Sequence, residues 1–452
     1  MSLHPDWLSP DTDAFVPGIW PSTAARSSGV LTIGGMDVRA LVEKYGTPLY
    51  LLDEADFRAR AEAYRAAFAP WQVYYAGKAF LCSAVARWAA ECGLGVDVCS
   101  PGELALALRG GVPGASIGCH GNNKSADELR AAIDAGVGRI IVDAEDEIDR
   151  LEAIVASRPD GSPDVPVLVR VTPDVEPHIH AAVQTAVIDQ KFGFALDGGA
   201  AAAALARLEA IPGLQLMGVH CHIGSQIMET DAYELAIERL VGLLAGFRDT
   251  AGRELPMCDL GGGFGIAYTA ADKPPSPADF ARRLQDAVGR SCRQAGIAVP
   301  AMSVEPGRAI VGPAGVSVYT VGIVKTVQLD GGTRTYVAVD GGMSDNPRPA
   351  LYQAEYSALL ANRASTSAPV LARVVGKHCE TGDILVPHTY LPGDIRPGDL
   401  IAVPASGAYQ RSMAGNYNET PRPPVVAVRD GGAQVLVRRE TIDDLLGLDV
   451  GR

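Results

Sequence analysis

Residues 72–121 read QVYYAGKAFLCSAVARWAAECGLGVDVCSPGELALALRGGVPGASIGCHG and contain the same pattern twice. A short apolar run is followed by an Ala- and Leu-rich segment with helical spacing, and a third apolar run closes the segment. Parallel strands need such a crossover, because the chain must return to the same edge of the sheet before the next strand begins. The segment therefore predicts a parallel α/β fold.

The alternation continues toward the C-terminus and gives eight candidate strands within about 240 residues, the size expected of a (β/α)8 barrel. A doubly wound open sheet is the structural alternative. The candidate strands are QVYYAGKA (72–79), GVDVCS (95–100), ASIGCHG (115–121), RIIVDA (139–144), PVLVRVTP (166–173), LMGVHCHIGS (216–225), PMCDLGGGF (256–264) and AMSVEPGR (301–308).

The pattern changes near Gly312, where alternation with period two and Gly-Gly turns replaces the intervening helices. This indicates a second, β-rich domain. Earlier in the chain, LTIGGMDV (31–38) is another short strand with a turn, which we expect to pair into the same domain. The predicted organisation is a barrel over 47–310, with 1–46 and 311–452 forming the β-rich domain.

Composition limits the possible functions. The chain has 452 residues, 47% hydrophobic composition and a net charge of -14, which favours a soluble globular protein and opposes a nucleic-acid or anionic-membrane surface. The N-terminus resembles no signal peptide, and no apolar run is long enough to span a membrane. Eight cysteines without a C-x-x-C spacing indicate a reducing cytoplasm.

Polar residues end most of the predicted strands, and barrel enzymes place their sites at those carboxyl ends. One of only seven lysines in the chain, Lys78, ends the first strand, and its apolar neighbours predict that it is buried. The other polar residues at or near strand ends are Asp97, His120, Asn122, Arg170, His220, His222, Glu305 and Arg308, and the seventh strand is followed by Gly261, Gly262 and Gly263.

Several of these residues have two interpretations. His220 and His222 share one strand face and could bind zinc, but the sequence places no third ligand near them, so we expect no metal. Arg170 inside a strand needs a partner, which Asp97 or an anionic ligand could supply. The triplet Gly261 to Gly263 is either a tight turn or a phosphate-binding turn.

Taken together, a lysine that can bind an aldehyde, a histidine, a glycine-rich turn and a carboxylate are the groups that pyridoxal phosphate (PLP) requires. At this point the sequence resembles the fold-type III PLP-dependent decarboxylases, which are alanine-racemase-like barrels with a β domain. The resemblance runs from residue 46 to residue 423. It is carried by YYAGKA (74–79), HIGSQ (222–226), GGGFG (261–265) and EPGR (305–308).

The resemblance implies roles for individual residues toward the cofactor. Lys78 is its covalent attachment point, His222 stacks on its ring, Ser225 approaches its phosphate, and Glu305 contacts its ring nitrogen. The other residues that the resemblance places around the cofactor are Asp97, Arg170, Gly262, Gly263, Pro306, Gly307, Arg308 and Tyr409.

Three later segments resemble the family members that convert meso-2,6-diaminopimelate to L-lysine and CO2: MSDNPRPALY (343–352), GKHCETGD (376–383) and GAYQRSMAGNYN (407–418). Ornithine and arginine decarboxylases are expected to carry Asp after the cysteine, whereas Glu380 follows Cys379 here. The implied substrate-binding residues are Arg308, Arg348, Tyr352, Glu380 and Tyr409.

The resemblance also implies that Cys379 donates a proton to the product, whereas cysteine in general is more often a buried structural thiol. It further implies a homodimer in which Cys379 and Glu380 of one subunit complete the site of Lys78 of the other.

Three other functions are compatible with parts of this pattern. A racemase of the same fold is opposed by Glu305, because such racemases are expected to present Arg to the ring nitrogen. A non-catalytic PLP carrier is opposed by the presence of Lys78 and Cys379. A decarboxylase of a related diamino acid is the remaining alternative, since kinship of fold does not fix the substrate.

Overall fold

The computed structural model describes residues 5–175, 191–330 and 332–451. The chain divides into two compact units, and each is described by itself. The barrel unit comprises Arg60–Gly265 and Pro274–Gly307, and the β-rich unit comprises Met1–Ala59, Ile266–Lys273 and Arg308–Arg452.

The barrel unit contains a closed ring of eight parallel strands, because the fourth strand pairs with the fifth and the eighth pairs with the first. All eight strands predicted from the sequence are confirmed, and an open sheet is excluded by this closure. In order, the strands are Gln72–Ala76, Gly95–Val98, Ile117–Cys119, Arg139–Val142, Val165–Thr172, Leu214–His220, Met257–Asp259 and Ala301–Val304. A short strand, Phe194–Ala195, pairs with the fifth.

Helices separate the barrel strands, and side-chain caps set where some of them begin. Ser100 caps one helix by accepting a hydrogen bond from the Glu103 backbone, and Ser125 forms a capping box with Glu128. Both helices therefore start a few residues after a strand, which leaves the strand ends open. The helices are Glu54–Phe68, Ser83–Glu91, Pro101–Arg109, Ala126–Asp134, Glu145–Ala156, Ala200–Glu209, Asp231–Ala251 and Pro277–Ala295.

The β-rich unit is built on one large sheet. Its long hairpin of Gly315–Leu329 and Gly332–Val339 confirms the period-two pattern after Gly312. The remaining strands of this sheet are Leu49–Asp53, Leu359–Leu360, Pro369–Val375, Ile384–Pro392, Leu400–Pro404, Val425–Arg429 and Gly432–Val437, and the helices of the unit are Val38–Tyr45, Arg308–Ala314, Arg348–Tyr352 and Ile442–Leu446.

Two N-terminal segments differ from expectation. LTIGGMDV contributes to Val30–Ile33 and Met36–Asp37, which pair with each other. Val30–Ile33 also pairs with Ala25–Ser27, and the three strands form a separate sheet rather than joining the large one. Leu49–Asp53, which we expected at the start of the barrel, pairs with Gly315–Leu329 and Val425–Arg429 in the large sheet. Its five residues are all buried, as in a central strand.

Across the three described ranges, no helix combines the length and the apolar character needed to cross a membrane.

Candidate active site

A cavity of about 320 Å³ lies among the carboxyl ends of the barrel strands. Its walls come from six of the eight strands or the turns that follow them, as expected for this fold. The lining residues are Ala76, Gly77, Lys78, Asp97, Cys99, His120, Gly121, Asn122, Arg170, Lys191, Phe192, His220, His222 and Glu305.

Lys78 lies in a single 3-10 turn, Gly77–Ala79, directly after the first strand. Its neighbours Gly77 and Ala79 are buried, but Lys78 itself is exposed and lines the cavity. The expectation that Lys78 is buried is therefore wrong: the turn directs this side chain out of the barrel wall while the residues beside it pack inward. This placement makes Lys78 accessible to a ligand in the cavity.

Two other lysines lie near strand ends. Lys124 is buried, and its Nζ donates to the Gly121 and Ile141 carbonyl oxygens and contacts Glu147 Oε1 at 2.8 Å. Those three partners give it a structural role. Lys191 lines the cavity as Lys78 does and was not among the predicted site residues.

Glu305 lies inside a cluster of buried polar side chains. Its Oε1 is 3.1 Å from His120 Nε2, 3.3 Å from His220 Nε2 and 3.5 Å from Arg139 Nη2. His120 Nε2 is also 3.4 Å from Asp97 Oδ1. The cluster thus joins the ends of the second, third, sixth and eighth strands with the start of the fourth.

These neighbours set the charge of Glu305. Burial opposes ionisation of this carboxyl, but His120 and His220 outweigh burial and hold its pKa well below the usual range. Burial likewise opposes the charged form of His120, yet Glu305 and Asp97 raise its pKa to about 9. Burial and the nearby Glu305 raise the pKa of Asp97 to about 6. At neutral pH the structure therefore presents an ionised Glu305 beside a protonated His120.

Arg139 and Asp259 form the base of this cluster. Arg139 Nη2 lies 2.7 Å from Asp259 Oδ2, its Nη1 donates to Ser303 Oγ at 2.9 Å, and its guanidinium stacks 3.7 Å above the Tyr74 ring. Both charged residues are almost completely buried. Neither was predicted as a site residue, although a charge inside an apolar run is a signal for such a pair.

The zinc interpretation paired His220 with His222 and included no third residue. His220 is grouped with His120 and Glu305, and one ligand atom from each lies within 4.8 Å of the others. The statement that no third ligand lies near His220 is therefore wrong. Arg139 beside Glu305 opposes a divalent cation there, because it already supplies a fixed positive charge. The absence of a bound metal stays a prediction.

Arg170 has a partner that the sequence analysis did not consider. Its Nη1 lies 3.4 Å from Asp143 Oδ2, and its guanidinium is 4.3 Å from the centre of the Phe192 ring. Asp143 also accepts a hydrogen bond from the Gly193 backbone at 2.8 Å. Asp143 therefore links the fourth and fifth strands beside the cavity, whereas Asp97 pairs with His120 and Arg139.

Close backbone packing explains two glycines. At Gly263, with φ +113°, a Cβ atom would lie 2.6 Å from the Gly224 carbonyl oxygen and 2.7 Å from the Tyr233 hydroxyl. At Gly307 a Cβ would lie 2.8 Å from the Ala76 carbonyl oxygen, so the EPGR segment packs against the strand that precedes Lys78. Both positions leave space only for hydrogen.

In the β-rich unit, Arg308, Arg348, Tyr268, Tyr356 and Tyr409 form what we call the arginine–tyrosine cluster. Arg308 Nη1 donates to the Tyr268 hydroxyl and Arg348 Nη1 to the Tyr356 hydroxyl, each at 2.5 Å. The Arg308 guanidinium lies 4.7 Å from the Tyr409 ring centre. Two of these tyrosines, Tyr268 and Tyr356, were missed, because no spacing in the sequence connects them to the arginines.

Cys379 and Glu380 lie on an exposed loop of the same unit. Asp383 fixes this loop by accepting hydrogen bonds from the backbones of His378 and Met343, and His378 Nε2 is 2.8 Å from Ser344 Oγ. Glu380 accepts a short hydrogen bond from Tyr417. The exposure of Cys379 excludes the interpretation of a buried structural thiol, and Tyr352 is half-buried on the helix that begins at Arg348.

The fold and the cavity define the class: this is a barrel enzyme that binds pyridoxal phosphate. A family profile described as "Pyridoxal-dependent decarboxylase, pyridoxal binding domain" matches residues 54–312. Along almost its full length, the chain is also similar to curated proteins and to solved structures.

The chain is 49% identical over 444 residues to diaminopimelate decarboxylase of Mycobacterium tuberculosis, which covers 96% of this chain and 98% of that protein. It is 45% identical to diaminopimelate decarboxylase of Bacillus subtilis, covering 93% and 95%. The crystal structure of diaminopimelate decarboxylase from M. jannaschii covers 96% of this chain and 98% of that chain, with 29% identity and a TM-score of 0.88. The chain belongs to the diaminopimelate decarboxylase family.

The residues present fit pyridoxal phosphate. An exposed lysine, an ionised carboxylate and a histidine surround the cavity, and burial with the nearby Lys78 and Arg170 charges lowers the pKa of His222 well below 6.5, so its ring is neutral. A neutral imidazole suits stacking on an aromatic ring. At Gly261, Gly262 and Gly263 a Cβ would lie 2.3 to 2.6 Å from a backbone carbonyl oxygen, so these glycines allow close backbone packing, and a phosphate at this turn stays a prediction.

Proposed function

We propose that the protein removes CO2 from meso-2,6-diaminopimelate and releases L-lysine. The observation that carries the substrate assignment is Arg348, which is only 6% exposed and whose partners among the residues that the structure describes are tyrosines, with no carboxylate among them. A buried guanidinium whose neighbours are neutral tyrosines favours an anionic ligand, and the distal carboxylate of this substrate supplies one. Arg308 in the same cluster takes part in this contact, with Tyr352 and Tyr409 beside it and Glu380 at the distal ammonium.

The barrel residues hold the cofactor. Lys78 binds it covalently, His222 covers its ring, and Ser225, Gly262 and Gly263 bind its phosphate with the backbone of Pro306 and Gly307 nearby. Asp97 and Arg170 line the same cavity. When bound, pyridoxal phosphate supplies a ring that accepts the electron pair left behind by CO2. Glu305, ionised by its histidine neighbours, keeps a proton at the ring nitrogen.

A proton transfer to carbon completes the reaction. The carbon that loses CO2 must receive a proton, and Cys379 Sγ delivers it, since its exposed loop position allows contact with a ligand. Asp383 fixes the backbone next to this thiol by accepting a hydrogen bond from the His378 N–H. His120 acts indirectly, because its contact with Glu305 keeps that carboxyl ionised.

The assembly that we propose is a homodimer with shared sites, in which Cys379 and Glu380 of one subunit's β-rich unit complete the site of Lys78 of the other. Exposure of both residues supports this, because a two-fold interface presents each loop to a partner. We place the protein in the cytoplasm, since none of its eight cysteines forms a disulfide and that chemistry suits a reducing compartment.

The test is release of CO2 from meso-diaminopimelate, L-lysine, L-ornithine and L-arginine, each incubated with the PLP-loaded enzyme. We expect release from diaminopimelate, with L-lysine as the product. Faster release from ornithine or arginine would contradict the proposal, and racemisation without CO2 would indicate the alternative chemistry of this fold.

A further inference from the structure

Tyr268 lies in the middle of the arginine–tyrosine cluster. Its hydroxyl accepts the hydrogen bond from Arg308, and its ring centre is 4.7 Å from the Arg348 guanidinium. The same ring meets the Tyr356 ring edge-on, with 5.1 Å between centres and an interplanar angle of 79°. One side chain therefore contacts both arginines and the tyrosine that binds the second of them.

Tyr268 is itself held rigidly. Its side chain is buried, its backbone N–H donates to Asp272 Oδ2 at 2.9 Å, and its carbonyl oxygen accepts from Ser357 Oγ at 3.1 Å. Tyr268 contacts the two arginines with different parts of its side chain. The hydroxyl orients Arg308, whereas the face of the ring orients Arg348.

We infer that Tyr268 is a positioning residue that determines specificity, because it fixes the separation and the angle of the Arg308 and Arg348 guanidinium groups. This inference rests on the proposed function, in which those arginines bind the distal carboxylate. Charge-assisted hydrogen bonds depend on a fixed donor geometry. An arginine that is free to rotate loses side-chain freedom when it binds, which weakens binding of the carboxylate.

The predicted effect is confined to one end of the ligand. L-Lysine retains the distal carboxylate, whereas 1,5-diaminopentane has the same chain length and two amines but no carboxylate. Loss of the positioning contact therefore weakens L-lysine and leaves 1,5-diaminopentane unaffected. A general disturbance of the cluster would weaken both.

The experiment measures inhibition of the PLP-loaded enzyme by each of these two compounds, together with kcat and KM for meso-diaminopimelate. In Tyr268→Phe only the hydroxyl is lost, so we expect the inhibition constant for L-lysine to rise about fivefold as one arginine is released. Tyr268→Leu also removes the ring face, and we expect a rise of about thirtyfold. In Tyr268→Phe, KM rises with the lysine constant while kcat changes less than about twofold.

The matched control is Tyr319→Phe, which also removes a buried hydroxyl of the β-rich unit, in that case one that donates to Asp345 at 2.7 Å. It should leave both inhibition constants unchanged. Equal weakening of both inhibitors by Tyr268→Phe, or the same effect from Tyr319→Phe, would overturn the inference. If Tyr268→Leu fails to fold by circular dichroism, Tyr268→Phe alone decides.

Failure of the inference is distinguishable from failure of the proposed function. A wild-type enzyme that releases no CO2 from meso-diaminopimelate refutes the function itself. A wild-type enzyme that does so, with Tyr268→Phe unchanged in every constant, refutes only the role of Tyr268.

Discussion

His120 Nε2 lies 3.1 Å from Glu305 Oε1, and the two side chains are 9% and 7% exposed. The contact brings a histidine after the third strand to a carboxylate after the eighth. The two residues titrate together, because the negative charge of Glu305 raises the pKa of His120 and the positive charge of His120 lowers the pKa of Glu305.

This contact makes stability depend on pH. The pKa of His120 rises from about 6.5 in an unfolded chain to about 9 in the folded one, so its stabilising contribution is fully present below pH 6.5 and is lost as the pH rises through 9. The loss is on the order of 3 kcal/mol at most. Urea unfolding of cofactor-free protein at pH 6.5 and pH 9 should show this decrease, and His120→Gln should show less of it. An identical decrease in the variant would refute the assignment.

Reduction with borohydride should attach the cofactor to Lys78. The decisive comparison is with Lys191, which lines the same cavity. Lys78→Ala should give no adduct, whereas Lys191→Ala should give the wild-type adduct in peptide mapping by mass spectrometry. An adduct found on Lys191 of the wild-type protein would reject the role of Lys78.

Arg348→Ala should lower kcat/KM for meso-diaminopimelate by about a hundredfold or more, because a charge-assisted contact is lost and the distal carboxylate is left without its partner. The matched control is Arg130→Ala, since Arg130 is an exposed arginine that pairs only at the surface with Asp127. It should change kcat/KM less than about twofold. If Arg348→Ala lowers any residual decarboxylation of L-lysine by the same factor, Arg348 does not bind the second carboxylate.

Lys78→Ala and Cys379→Ala homodimers should each be nearly inactive, for different chemical reasons. If the sites are shared, refolding equal amounts of the two variants together gives mixed dimers with one intact site, and activity returns to about a quarter of the wild-type level. Each variant refolded alone is the control. Mixed dimers that are shown by mass spectrometry to exist, yet remain inactive, would refute shared sites.

The sequence was sufficient for the eight barrel strands and for the lining residues that lie at strand ends, because strand ends in this fold converge whatever the intervening loops do, but it did not predict Lys191 or Phe192. Lys78, Asp97, His222 and Glu305 all line that cavity. The exposure of Lys78 was not predicted. Apolar flanking residues indicate how those residues pack, but they do not indicate the direction of a side chain in the turn between them.

Partners inside the barrel were harder to predict. Arg139, Asp143 and Asp259 meet residues far away in sequence, and such pairings depend on strand register and on which side of the barrel each strand occupies. Tyr268 and Tyr356 illustrate the same limit in the β-rich unit. Residues 176–190, which include His178 and His180, lie outside the described residues.

The Arg139 contacts limit how this barrel can change its chemistry during evolution. Its guanidinium lies within 3.5 Å of carboxylate oxygens from Asp97, Asp259 and Glu305. Replacing Glu305 by an arginine, as a racemase of this fold would require, places two buried cations side by side while removing one anion. Such a replacement would be tolerated only after Arg139 had been lost or a new acid gained. The order of substitutions between the two activities is therefore constrained. Replacing Glu305 alone should destabilise the fold and so prevent the new activity.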